Sequence, residues 1–115
     1  MVARCVFCRI AQGESEARIV YQDDVITAFE DVAPQAPAHI LIIPNRHIGS
    51  LNETSEDDHD LLGAMLLVAR QVAEQAGLAS SGYRLVINTG RDGGQSVAHL
   101  HLHVLGGRRM HWPPG

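Results

Sequence analysis

The sequence contains no lysine, and all nine of its basic residues are arginine. The absence of lysine excludes Schiff-base chemistry and a phosphate-binding P-loop, since both need a lysine amine. The formal net charge is −4 at pH 7, and no cluster of basic residues could follow a nucleic-acid backbone. We therefore expect no nucleic-acid polymer among the partners of this protein.

Cysteines, aromatic residues and long apolar runs are also scarce. There are two cysteines, aromatic residues make up 4% of the chain, and no apolar run is long enough to cross a bilayer. Residues 1–13 contain no long apolar run, so we expect no signal peptide, no membrane association and a cytoplasmic location. A chain of 115 residues with 45% hydrophobic and 19% charged residues predicts one globular domain with one core.

The most informative stretch lies at residues 99–105, where histidine alternates with leucine or valine. Strict alternation predicts a β-strand with two different faces. We expect Leu100, Leu102 and Val104 to point into the core. The opposite face would carry three histidines: His99, His101 and His103. Because imidazoles titrate near neutral pH, this face suits proton transfer, nucleophilic attack or metal binding.

The rest of the chain predicts four more strands and two helices, which gives an α+β domain with a five-stranded antiparallel sheet. Apolar runs bounded by turn residues predict strands over residues 18–21, 25–29, 39–43 and 83–87. A short helix is predicted over residues 5–13, with Gly13 at its end. The long helix begins at a capping box formed by Ser55 and Asp58, buries an apolar stripe and ends at Gly77.

A polar, glycine-rich loop at residues 88–96 precedes the histidine stretch. Its glycines, among them Gly94, let the backbone approach a ligand closely, and successive amides in such a loop can bind an anion. Asn88 and Ser96 add donors for phosphate oxygens. Taken alone, the loop is a tight turn between two strands. Taken with the histidines, it predicts a phosphate site.

Two chemistries could use alternating histidines beside an anion site. In the first, the middle residue, His101, attacks phosphorus and forms a covalent intermediate that water resolves, while a neighbouring histidine protonates the leaving group. In the second, two histidines hold a catalytic zinc. Histidines that bind zinc usually have acidic or carbonyl partners. No carboxylate adjoins this stretch, which favours the covalent route.

Both cysteines belong to one Cys-x-x-Cys pair, Cys5 and Cys8. The spacing is typical of zinc sites, but a closed site needs four ligands. His47 and His99 are available as the other two. A redox pair and two unremarkable thiols are the alternatives.

Taken together, these features resemble the histidine triad (HIT) family, and most closely its Hint branch of nucleoside phosphoramidases. The segments that carry the resemblance are residues 99–105 with their three alternating histidines, residues 92–97, 29–31 and 34–39 before them, and residues 106–108 and 112–115 after them. The resemblance covers essentially the whole chain.

The resemblance implies a HIT-like fold, with a single HIT domain over residues 1–115. Two subunits would form a homodimer in which two five-stranded sheets join into one of ten strands. The C-terminal tail, residues 106–115, would reach the partner subunit, and Trp112 would contact the active site there. The implied activity is hydrolysis of purine nucleoside 5′-phosphoramidates or acyl-adenylates through a nucleotidyl-histidine intermediate. The products would be AMP or GMP and an amine, and no organic cofactor is implied.

The same resemblance assigns the site residues. His101 would be the nucleophile, and His103, His39 and Ser96 would complete the catalytic set. The implied nucleotide-binding residues are Ile10, Phe29, Asp31, Val32, Asn88, Gly94, Ser96, His101, His103 and Trp112. Within that set Asp31 would bind the ribose hydroxyls. Ile10, Phe29 and Val32 would form the slot for the base.

Family members with this cysteine pair form a zinc-bearing subgroup, whose ligand pattern falls on Cys5, Cys8, His47 and His99. The implied zinc is structural and would pin the short N-terminal helix to the sheet. Glu30 departs from the pattern, because Hint members often have histidine there, so the preference between adenine and guanine stays open. Two rival functions also stay open: a dinucleoside polyphosphate hydrolase of the same family, and a nucleotide-binding regulatory module with vestigial catalysis.

Overall fold

The computed structural model describes residues 5–115. Two helices and five strands follow one another in the order α1 (Val6–Ala11), β1 (Ile19–Gln22), β2 (Ile26–Glu30), β3 (Ala38–Pro44), α2 (His59–Gln75), β4 (Tyr83–Val86) and β5 (Leu102–Gly106). The predicted number and kind of elements are confirmed. None of the helices within residues 5–115 is long and apolar enough to span a membrane.

All five strands form one antiparallel sheet in the order β1-β2-β3-β5-β4. The apolar strand β3 lies at its centre and is buried on both faces, as its sequence predicts. One face, which includes Ile40 and Ile42, packs in the main core with α2. The other face, which includes Leu41 and Ile43, packs in a smaller cluster with α1. The sheet therefore separates the long helix from the short one.

The long helix has a two-part beginning. The predicted capping box of Ser55 and Asp58 is present, but it caps a 3₁₀ turn at Glu56–Asp58, and α2 starts only at His59. Three consecutive acidic residues in that turn suit the positive end of the helix dipole. The helix ends at Gln75, and Gly77 follows with a φ of +76°, a conformation that favours glycine.

The histidine stretch differs from its prediction over its first three residues, His99–His101, which lie outside the strand. Strand β5 begins at Leu102, and the chain bends at residues 97–99. The amide of Leu100 donates to the carbonyl of Ile48 at 2.6 Å, so this part of the chain bonds to a loop and not to the sheet. The expectation from alternation alone, that His99 shares a strand face with the other two histidines, is therefore wrong. His99 instead lies beside Cys5 and Cys8, in the direction that the family resemblance implies. The predicted burial of Leu100, Leu102 and Val104 is confirmed.

Candidate active site and metal centre

Three histidines meet on the sheet face that carries α1. Strands β3 and β5 are paired, which brings His39 beside His103, and their ring centroids lie 5.2 Å apart. His101 immediately precedes β5, and its ring centroid lies 5.0 Å from that of His103. His39 and His101 are buried and His103 is partly buried. The fold thus gathers three imidazoles from two neighbouring strands.

The hydrogen bonds of His101 determine which ring nitrogen can react. Its Nδ1 lies 2.7 Å from the carbonyl oxygen of His99. A carbonyl oxygen only accepts, so Nδ1 carries the proton and donates it to this bond. The Nε2 atom of neutral His101 therefore has a free lone pair. This is the tautomer that a nucleophilic imidazole needs.

The tautomers of His39 and His103 follow from a chain of hydrogen bonds. The amide of Gln35 donates to His39 Nδ1 at 3.0 Å, so the proton of neutral His39 is on Nε2. That Nε2–H group donates to His103 Nδ1 at 2.9 Å. The proton of neutral His103 is consequently on its own Nε2. This buried Nε2 has no hydrogen-bond partner among residues 5–115, which leaves a donor ready for a ligand.

Burial sets the protonation state of this pair. It lowers the pKa of His103 to about 4, and the neighbouring imidazoles of His101 and His39 contribute to the same shift. Burial also lowers the pKa of His39, against the opposing effect of Asp31. The Asp31 carboxylate lies 3.4 Å from His39 Nε2 and offers that N–H group a second acceptor. Both histidines are therefore neutral at pH 7 when no ligand is present.

A cavity of about 540 Å³ opens beside these histidines, a size suited to a small-molecule ligand. His101, His103 and Ser96 are among its polar lining residues, together with Asp31, whose side chain is partly exposed. The remaining wall is mostly apolar. Its residues are Val6, Phe7, Ile10, Ser15, Glu16, Ala17, Phe29, Val32, Leu41 and Val97.

A second cluster of side chains includes His99, whose carbonyl accepts the hydrogen bond from His101. The ligand atoms of Cys5, Cys8, His47 and His99 all lie within 4.8 Å of one another. Cys5 Sγ is 3.4 Å from His99 Nδ1, and Cys8 Sγ is 3.3 Å from His47 Nδ1 and 3.5 Å from His99 Nδ1. Tetrahedral zinc with ordinary bond lengths requires a sulfur–nitrogen separation of about 3.6 Å. These four residues could therefore bind a metal ion.

The surroundings of His99 also fit a metal ligand. Its Nε2–H group donates to the carbonyl of Pro44 at 2.8 Å, which leaves the Nδ1 lone pair directed at the two cysteines. Such a carbonyl partner is the usual way to orient a histidine that binds a metal. His99 is fully buried, and burial lowers its pKa, so the imidazole is neutral and ready to coordinate. Burial also raises the pKa of the Cys8 thiol to about 11, so its thiolate needs a neighbouring cation.

Comparison with known proteins identifies the family. The family model of the HIT domain matches residues 12–110. The chain belongs to the HIT family. This confirms the resemblance drawn from the histidine stretch and its flanking segments.

Named relatives within the HIT family align with nearly the whole of this chain. Purine nucleoside phosphoramidase of Escherichia coli K12 is 52% identical over 110 residues, which cover 96% of this chain and 92% of that protein. The crystal structure of a HIT family hydrolase from Legionella pneumophila Philadelphia 1 superposes with a TM-score of 0.94 at 53% identity. The superposition covers 96% of this chain and 99% of the Legionella chain. A Zn-bound histidine triad family protein from Mycobacterium smegmatis has a TM-score of 0.79 at 32% identity, covering 90% of this chain and 75% of that chain.

The HIT cavity gathers most, but not all, of the residues that the sequence pointed to. Seven of the predicted catalytic and nucleotide-binding residues line it: Ile10, Phe29, Asp31, Val32, Ser96, His101 and His103. His39 stands behind His103. Asn88, Gly94 and Trp112 are not part of the cavity wall, and Trp112 is 81% exposed in this single chain.

Two contributors to the HIT site had no clear signal in the sequence. Phe7 packs edge-to-face against His101 with ring centroids 5.2 Å apart, and nothing in the short helix marks it as a site residue. Gln95 holds the glycine-rich loop in shape. Its Oε1 accepts from the amide of Gly90 at 3.0 Å, and its Nε2 donates to the carbonyls of Gly49 and Val97 at 2.7 and 2.9 Å. A glutamine inside a glycine-rich loop is the only sequence feature that could have suggested this role.

Proposed function

We propose that this protein hydrolyses purine nucleoside 5′-phosphoramidates and releases AMP or GMP together with an amine. The observation that carries the proposal is the pairing of two tautomers on neighbouring histidines that both line a nucleotide-sized cavity. His101 offers a free Nε2 lone pair, and His103 offers an unpartnered Nε2–H group. The similarity to E. coli purine nucleoside phosphoramidase supports the same assignment.

In the first step, His101 Nε2 attacks the α-phosphorus and forms a phosphorus–nitrogen bond. The bond from phosphorus to the substrate amine breaks, and its electron pair stays on the amine nitrogen, which takes a proton from His103. A bound phosphate anion favours the protonated His103 that this transfer needs, because it offsets the effects that hold its pKa low. The Nε2–H group of His39 can then donate to Asp31.

In the second step, water attacks phosphorus and the bond to His101 Nε2 breaks. His103, now neutral, takes the proton of the attacking water, and the mononucleotide leaves with the new P–OH group. The proton balance closes over the two steps, because His103 gives one proton and regains one. His101 keeps its Nδ1–H bond to the His99 carbonyl throughout, which stabilises the positive charge that develops on its ring.

The cavity wall supports a division of the nucleotide into three parts. The purine base would lie between Ile10, Phe29 and Val32, which are apolar and line the cavity. Asp31, another lining residue, would accept the ribose hydroxyls. Ser96 would donate to the phosphate from within the cavity, and we assign Asn88 and Gly94 to the same phosphate from the adjoining loop.

We propose a homodimer that joins two sheets through the edge strand β4. Strand β4 pairs only with β5 within residues 5–115, so its other edge is free for a second chain. Leu66 and Leu67 of α2 are more than half exposed and would be covered by the same partner. In this dimer the exposed Trp112 would contact the site of the partner subunit.

We propose that the Cys5–Cys8–His47–His99 cluster holds a structural zinc. Two thiolates and two neutral imidazoles are a usual zinc set, and four protein ligands close the site. The metal would hold the four side chains and the segments that carry them together. Cys5→Ser should remove about one zinc per chain by metal analysis, whereas Arg9→Ala, an exposed neighbour on the same helix, should retain it.

The activity is tested by incubating the protein in parallel with adenosine 5′-phosphoramidate and diadenosine triphosphate. We expect release of AMP from the phosphoramidate at a much higher kcat/KM than from the dinucleotide. Preference for the dinucleotide would contradict the proposed substrate class. Tight AMP binding without release of AMP from either substrate would indicate a binding module instead.

A further inference from the structure

Helix α1 belongs to both clusters of side chains. Cys5 is its N-cap residue and Cys8 lies in its first turn, so both cysteines of the metal cluster are part of this helix. Its other residues Val6, Phe7 and Ile10 form part of the cavity wall. A helix of six residues is too short to be stable by itself. Its position therefore depends on what holds it to the sheet.

The apolar contacts that hold α1 are few. Phe7 and Ile10 pack against a small cluster on the sheet that includes Phe29, Leu41 and Ile43. The larger core lies on the opposite face of the sheet, against α2. A metal ion bound by two residues of α1 and two residues beyond it would be the strongest additional tether, because metal binding adds its free energy to that of the local structure.

Two contacts lead from the metal cluster to the nucleophile. The carbonyl of His99 accepts the Nδ1–H of His101, so the same residue offers a ligand to the metal and fixes the tautomer of the nucleophile. The Phe7 ring, between the two cysteines in sequence, packs edge-to-face against both His99 and His101, with centroid distances of 5.9 and 5.2 Å. Displacing α1 would loosen the cavity wall and the support of His101 together.

We propose that the metal site and the nucleotide cavity are thermodynamically coupled, so that occupation of either site strengthens binding at the other. This inference rests on the nucleotide cavity of the proposed function. The shared element is α1, which the metal holds from one side and the purine nucleotide contacts from the other. Phe7 is a positioning residue in this coupling, since it touches both the metal ligand His99 and the nucleophile.

The coupling is tested by binding measurements that do not depend on turnover. The dissociation constant of AMP is measured by calorimetry for the zinc-loaded and the chelator-stripped protein. The affinity for zinc is measured by competition with a chromogenic chelator, with and without saturating AMP. We expect each ligand to tighten the other by the same factor, in the range of about 5- to 150-fold that allosteric coupling usually spans. Reciprocity is required by thermodynamic linkage, so the two factors check each other.

Hydrogen exchange shows whether the coupling is local. In the stripped protein we expect faster exchange at the amides of Arg9 and Gln12, which bond to the carbonyls of Cys5 and Cys8, and unchanged exchange in α2. Loss of protection in α2 as well would mean global unfolding and would overturn a local coupling. Phe7→Leu should reduce the coupling factor, taken as the ratio of zinc affinities with and without AMP. The exposed His59→Ala should alter neither quantity.

The outcomes separate this inference from the function on which it rests. Equal AMP affinity in the loaded and stripped protein would overturn the coupling and leave the phosphoramidase proposal intact. Failure of AMP to bind either form would overturn both. A coupling factor above about fivefold in both directions, with α2 protected throughout, would establish it.

Discussion

Lowering the pH from 7 to 5 should destabilise the folded protein through His103. Burial and two neighbouring imidazoles lower the pKa of this residue from 6.5 to about 4 in the folded state, while the unfolded chain keeps the ordinary value. Below pH 6.5 the unfolded state therefore binds more protons than the folded state. The free energy of unfolding is therefore unaffected by His103 above pH 6.5. It decreases as the pH falls from 6.5 towards 4, because protons bind to the unfolded state first.

The size of the effect follows from the two pKa values. One pKa unit corresponds to about 1.4 kcal/mol, and the linkage relation for 6.5 and about 4 gives a loss of about 2 kcal/mol at pH 5. This is an upper value, because part of the ring reaches the cavity. Against a typical free energy of unfolding of about 5–15 kcal/mol, the loss is easily measured.

Urea unfolding of the wild type and of His103→Gln at both pH values isolates this contribution. Groups that do not contact His103, including the metal ligands, are common to both proteins and cancel in the comparison, whereas the effects of His39 and His101 on His103 are part of the contribution measured. The wild type should lose about 2 kcal/mol more than His103→Gln between pH 7 and pH 5. The exposed His59→Gln is the matched control and should behave as the wild type does. An equal loss in the wild type and His103→Gln would refute the conclusion that the fold holds His103 neutral.

Three further changes test other parts of the structure. His101→Ala should abolish turnover of adenosine 5′-phosphoramidate while AMP still binds, and activity in this variant comparable to that of His59→Ala would contradict the nucleophile assignment. Asp31→Asn should weaken AMP binding by about 1–3 kcal/mol if the carboxylate accepts ribose hydroxyls, and calorimetry showing unchanged affinity would remove it from the ribose site. Ile42→Val deletes one methyl group from the fully buried centre of β3 and should cost about 0.5–1.5 kcal/mol in urea unfolding; no cost would mean that the core relaxes there.

Most of the fold could be predicted because local patterns and tertiary packing agree. The apolar run of β3 has no polar side to expose, and the capping box before α2 forms as its sequence indicates. The 3₁₀ turn between that cap and the helix was not predictable from the capping residues, since the same residues cap either kind of turn.

The error at His99 has a specific physical cause. Alternation describes side-chain directions only while the backbone is extended, and the chain bends before Leu102. The bend satisfies two distant partners, because the Leu100 amide bonds to Ile48 and the His99 side chain reaches the cysteines of α1. These contacts lie about 50 and more than 90 residues away in sequence, and no local pattern encodes them.

The candidate site was predictable in its chemistry, but its wall was predictable only in part, at Ile10, Phe29 and Val32, and only through the family resemblance. The three alternating histidines and the glycine-rich loop carry residue types that few other roles require. The wall of the cavity instead uses ordinary apolar residues such as Phe7 and Leu41, whose sequence environment is that of any core residue. Only the packing of α1 against the sheet distinguishes them.

The central claim is that His101 Nε2 forms a covalent bond to phosphorus during the reaction. Its most direct test is rapid quenching of the protein during turnover of adenosine 5′-phosphoramidate, followed by peptide mass spectrometry. We predict an adenylyl group on the peptide that contains His101, at the Nε2 atom of that residue, and no such group in His101→Ala. Turnover with no adduct at any quench time, or an adduct on His103, would contradict the mechanism.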